Sequence, residues 1–109
     1  MINEINIEKA LDFIRDNSDN LAKAKAERVY LEQFRKSKKA ILVSQVKGTI
    51  QERESYAYSH PDYIELLEGL KASIEIEESL KWKMIAAQAK VEVWRSQQAN
   101  NRAIDRAHH

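Results

Sequence analysis

PDYIELLEGLKASIEIEESLKWKMIAAQAKVEVWRSQQANNRAI, residues 61–104, is the stretch that decides the fold. After Pro61 it contains no further proline and one glycine, Gly69, and good helix formers fill most of the rest. At a rise of about 1.5 Å per residue it predicts one helix on the order of 60 Å long. Tyr63, Leu66, Leu70, Ser73, Glu77, Leu80, Met84, Ala87, Val91, Trp94 and Gln98 follow alternating steps of three and four, a heptad seam with polar interruptions. A second stripe, Trp82, Ile85, Ala86, Ala89 and Val93, lies on another face. A helix that is apolar on two sides must be covered on both.

Just upstream, Ser59-His60-Pro61-Asp62 is the clearest punctuation in the chain. Ser59 and Asp62 have capping-box spacing, and Pro61 suits a first helical turn that needs no N–H donor. Further back, Gly48-Thr49 marks a helix end or a kink, with Thr49 and Glu52 again at capping-box spacing. Between these breaks lies a short segment, residues 50–58. Ile7, Ala10, Leu11 and Ile14 recur at i, i+3, i+4 and i+7, which predicts a short amphipathic helix over 6–16. Asn17-Ser18-Asp19-Asn20 interrupts that pattern and offers N-cap side chains for a second helix over 21–47. In that helix Val29, Tyr30, Phe34, Ile41, Val43 and Val46 drift around the axis, so it is expected to touch more than one neighbour.

The expected fold is therefore all-α, a single domain over 1–109 built as a helical hairpin or bundle with one very long C-terminal helix. The helix over 21–47 is too short to shield the long one end to end, and a second copy of the chain is the simplest cover. Dimerisation would complete the core, with Leu80, Trp82, Met84, Ile85, Ala89, Val91, Val93 and Trp94 at the interface. The alternative is a monomer whose N-terminal helix folds back over the second stripe. Hydrophobic residues at 43% and charged residues at 32% fit a charge-rich folded protein rather than a disordered one.

Charge is segmented although the net value is only +1. Lys23–Lys47 holds eight basic residues against Glu27 and Glu32, which is +6, whereas 62–80 holds six acids against Lys71, which is −5. The plain reading lays the basic helix beside the acidic half of the long one, where the pairs set register and add little stability each. The functional reading leaves Arg35, Lys36, Lys38 and Lys39 exposed as a phosphate-binding patch, joined by Lys81 and Lys83. Trp82 between those two lysines suits base stacking, but its helical spacing favours an apolar contact in the second stripe flanked by cations.

An enzyme is not expected. Cysteine is absent, His60 stands beside the proline turn, and His108 and His109 sit at a chain end expected to fray. Glu77 and Glu78 are adjacent on a helix and point apart, and no glycine-rich phosphate loop exists. No cofactor or metal is implied. The first residues carry acids rather than a basic leader, and no apolar run approaches the roughly 18 residues of a membrane span, so a cytoplasmic location with no membrane partner is expected.

Three blocks carry a resemblance: Glu27-Arg28-Val29-Tyr30-Leu31-Glu32, Tyr56-Ala57-Tyr58-Ser59-His60-Pro61-Asp62-Tyr63, and Val93-Trp94-Arg95-Ser96-Gln97-Gln98-Ala99-Asn100-Asn101-Arg102-Ala103. In order and spacing, over most of the chain, they resemble a family of small uncharacterised phage and prophage proteins. The resemblance implies an accessory factor of phage DNA metabolism and places no catalytic or binding residue. Two functions then stand in order. One is a homo-oligomeric helical factor that binds another host or phage protein. The other is a nucleic-acid-binding accessory protein in recombination or replication. A purely structural assembly component comes third.

Overall fold

The computed structural model describes residues 4–108 of the chain. Met1–Asn3 and His109, which the single-domain expectation included, lie outside the described residues. Three helices make up the fold: α1 (Ile7–Ser44), α2 (Ile50–Ser59) and α3 (Pro61–Ala107), with no strand among the described residues. The long C-terminal helix is thus unbroken over the expected span and continues to Ala107.

The break expected at residues 17–20 does not occur. Residues 6–16 and 21–47 belong to one helix of 38 residues, α1. The polar cluster is absorbed by bonds back into the helix. Asn17 donates its side-chain amide to the Phe13 carbonyl at 3.0 Å, Ser18 donates its hydroxyl to the Ile14 carbonyl, and Asn20 donates to Asn17 Oδ1. Such i to i−4 bonds let Asn and Ser sit inside a helix they would otherwise interrupt. The cap lies earlier, where Asn6 Oδ1 accepts from the Lys9 N–H at 3.0 Å.

At the far end α1 stops at Ser44, three residues short of the expected boundary. The Arg53 side chain of α2 reaches back and donates Nε–H to the Val43 carbonyl at 3.2 Å, satisfying an acceptor the helix end leaves open. Gly48 breaks the helix rather than kinking it, with φ +138°. Thr49 then caps α2, its hydroxyl accepting from the Glu52 N–H at 3.1 Å. Gly48→Ala is expected to cost about 1–3 kcal/mol in chemical denaturation, because the positive φ disfavours any Cβ. The added Cβ would also fall 2.5 Å from Glu52 Oε2. Gly69→Ala should act oppositely and stabilise by about 0.5–1 kcal/mol, being mid-helix. A Cβ there meets nothing within 4 Å, so Gly69 serves no close helix crossing.

Between α2 and α3 the proline turn forms, with a different capping residue from the one expected. Ser59 turns its hydroxyl back to the Ser55 carbonyl at 2.7 Å, and it is His60 Nδ1 that accepts from the Asp62 N–H at 3.0 Å. His60 Nδ1 also lies 3.9 Å from Asp62 Oδ2.

The chain divides into two compact units, each using a stretch of α1 and a stretch of α3. In the unit Ala22–Glu78, Lys38 meets Asp62 at 3.5 Å and Arg28 meets Glu77, so α1 and α3 run antiparallel there. Its core is the point where three helices meet: Leu42 of α1, Ala57 of α2 and Tyr63 of α3, flanked by Val43 and Tyr56. Tyr58 packs edge-on against Tyr63 at 5.4 Å between ring centroids. The other unit joins residues up to Leu21 with those from Ser79 onward, and Ala10, Met84 and Ala87 are its buried apolar residues.

The heptad seam read on α3 is the buried face of that helix. From Pro61 to Asn100, Tyr63, Leu66, Leu70, Ser73, Glu77, Leu80, Met84, Ala87, Val91, Trp94 and Gln98 are buried or half-buried, and every other position is exposed. α1 carries a matching series: Ile7, Ala10, Ile14, Asn17, Leu21, Ala24, Arg28, Leu31, Arg35, Lys38 and Leu42, also at steps of three and four, are buried or half-buried.

Candidate interaction surfaces

The eight residues expected at an oligomer interface fall into two sets. Leu80, Met84, Val91 and Trp94 sit on the α3 seam, where the chain's own atoms wholly or half bury them. Trp82, Ile85, Ala89 and Val93 remain at the surface, with Trp82 61%, Ile85 41% and Val93 49% exposed. Within the unit that joins the beginning of α1 to the end of α3, Ala10 and Ala87 are buried while Trp82, Ile85 and Val93 stay exposed. Ala86, at the stripe's edge, borders a groove of about 590 Å³ floored by Ala10 and Ala87, walled by Phe13 and rimmed by Lys9, Lys83 and Lys90.

The residues singled out as a possible nucleic-acid contact are also divided. Lys38 is paired with Asp62 at 3.5 Å, and Lys39 lies 3.6 Å from Glu54. The Lys39 ammonium also lies 4.7 Å from the centroid of the Tyr58 ring. A hydrogen bond with Tyr58, outweighing partial desolvation and helped by the charge of Glu54, holds Lys39 above the usual lysine value. Because that shift is upward, the stabilisation is fully present at neutral pH and disappears only in strongly alkaline solution. Lys81, exposed and next to the seam residue Leu80, stands 5.8 Å from the centroid of the Trp82 ring. Lys83 joins the groove beside α1, and Arg35 and Lys36 line a separate cleft with Lys39.

Glu77, the one acid on the seam, has a partner that periodicity did not reveal. Arg28 on α1 grips it with two N–H groups, Nε to Oε2 and Nη2 to Oε1, and a third donates to Glu32 at 3.0 Å. The hydrogen bonds to Glu77, then those to Glu32, raise the arginine far above its ordinary value. Such a two-pronged pair adds direction more than energy. With Lys38 and Asp62 it fixes the antiparallel register of basic α1 against the acidic half of α3, as the plain reading of the charge segments required.

Among the described residues no group of three His, Asp or Glu side chains is placed to hold a metal ion, and no helix is long and apolar enough to cross a membrane. Compared with family models, curated proteins and solved structures, the chain matches none.

Proposed function

We propose that the chain is a non-enzymatic, cytoplasmic helical accessory factor of phage or prophage origin, which self-associates through the second stripe of α3 and works by binding another protein. One observation carries the reading. The seam of α3 is already covered within the chain, yet Trp82, Ile85, Ala89 and Val93 stay exposed along the opposite face. Apolar area removed from water is worth about 25 cal/mol per Å², so two such stripes gain by covering one another. Tryptophan is moreover among the residues that most often anchor protein interfaces. The phage origin rests on the resemblance of the three sequence blocks.

The nucleic-acid reading ranks second because the patch it needs is partly spent. Lys38 and Lys39 face carboxylates, and neutralised lysines release no counterions from a phosphate backbone. A labelled 5′-hydroxyl oligonucleotide titrated at low and at physiological salt tests the ordering. The expected result is no saturable binding at micromolar protein, unchanged in a variant with Lys36, Lys38 and Lys39 all replaced by Gln. Tight, strongly salt-dependent binding that those substitutions abolish would make the nucleic-acid reading the correct one.

A further inference from the structure

We propose that the cleft lined by Arg35, Lys36, Lys39, Tyr58 and Tyr63 is a binding site for a phosphate monoester group. All three helices of the unit contribute: the cations stand at i, i+1 and i+4 on α1, Tyr58 ends α2 and Tyr63 opens α3. The open cleft spans about 380 Å³, enough for a phosphate and part of what carries it. Neither Arg35 nor Lys36 is in an ion pair among the described residues, whereas Lys39 is balanced by Glu54 at 3.6 Å. Three positive charges less that one carboxylate leave +2. A monoester carries about −1.5 to −2 at neutral pH, which matches; a backbone diester carries a single charge, which does not.

The donors suit the same chemistry. A guanidinium presents two parallel N–H groups to two phosphate oxygens, and ammonium groups add point charges. Lys39 is held in place before any ligand arrives, between Glu54 and a Tyr58 ring that is itself set against Tyr63 at 77°. Preorganised donors lose less freedom on binding. Lys38, the neighbouring cation, is engaged by Asp62 instead and does not line the cleft. This inference goes beyond the adaptor reading and stands or falls independently of self-association, since Ile85 is not among the cleft residues.

Calorimetric titration decides it, using inorganic phosphate and a pair of oligonucleotides identical except for a 5′-phosphate or a 5′-hydroxyl. The phosphorylated strand is expected to bind and the hydroxyl strand not to. Binding of the 5′-phosphorylated strand should strengthen as pH rises through about 6, where a monoester gains its second charge, while sulfate binding shows no such rise. Arg35→Gln should weaken binding at least tenfold, and so should Lys36→Glu, an exposed position where folding is not at stake. Lys38→Gln should leave binding unchanged. Equal affinity for the two strands, or unaltered phosphate binding by both Arg35→Gln and Lys36→Glu, would overturn the assignment.

Discussion

Leu42→Ala should lower the unfolding free energy by about 2–4 kcal/mol, the largest loss expected from any single truncation in this chain. Leu42 is 1% exposed, and the residues around it come from all three helices: Val43 beside it on α1, Ala57 and Tyr56 on α2, Tyr63 on α3. Removing the isobutyl group strips contacts on several sides at once. Relaxation cannot close the gap easily, because α1 stops two residues later and Arg53 is already tied to the Val43 carbonyl. Elsewhere on the seams, positions such as Leu80 and Val91 are only half-buried, and a truncation there exposes less new surface. Urea denaturation should show a lower midpoint with an unchanged slope. A loss below about 0.5 kcal/mol would mean that the three-helix junction is not the core of its unit.

Ile85→Asp should have the other large effect, on assembly rather than on folding. At 41% exposure within one chain, Ile85 can become a carboxylate without that group being sealed from water, so helicity should be retained. In an associated pair the same carboxylate would be buried without a cation to meet it, at a cost of several kcal/mol, enough to weaken association by more than a hundredfold. The variant should therefore run as a folded monomer at concentrations where the natural sequence does not. A variant that unfolds would place Ile85 in the interior of the chain. One that keeps its full assembled mass would show that the second stripe is not the contact.

How far the sequence discloses this arrangement depends on which side chains occupy the buried face. On α3 most seam positions are apolar or small, so the three-four spacing stands out despite Ser73, Glu77 and Gln98. On α1 the same spacing is present but carried in part by Asn17, Arg28, Arg35 and Lys38. Long basic side chains cover apolar surface with their stems and keep their charges in water or on a carboxylate, and a reading that counts only hydrophobic residues passes over them. That is why α1 looked like a helix with a drifting apolar face, and why the Arg28–Glu77 clasp went unseen. Residues 17–20 misled for a related reason. Asn, Ser and Asp favour caps because they compete for backbone groups, and in α1 Asn17 and Ser18 bond back to the preceding turn while the helix continues.

The candidate surfaces were legible to a different degree. The stripe Trp82, Ile85, Ala89 and Val93 could be read directly, and the structure leaves it exposed. Spacing set it on a different face from Leu80, Met84, Val91 and Trp94, but only the path of α1 shows which face is turned inward. The cleft at Arg35, Lys36 and Lys39 was visible only as basic residues. Tyr58 and Tyr63, which shape it, follow the turn at Gly48 and stand far away in sequence.

Sedimentation equilibrium of the unaltered protein over a wide concentration range is the most direct test of self-association through the second stripe. The expected mass is at least twice that of the 12.7 kDa chain at micromolar concentration, falling toward a single chain on dilution. A protein that stays at one chain mass throughout, with Trp82 still accessible to an aqueous quencher, would contradict it.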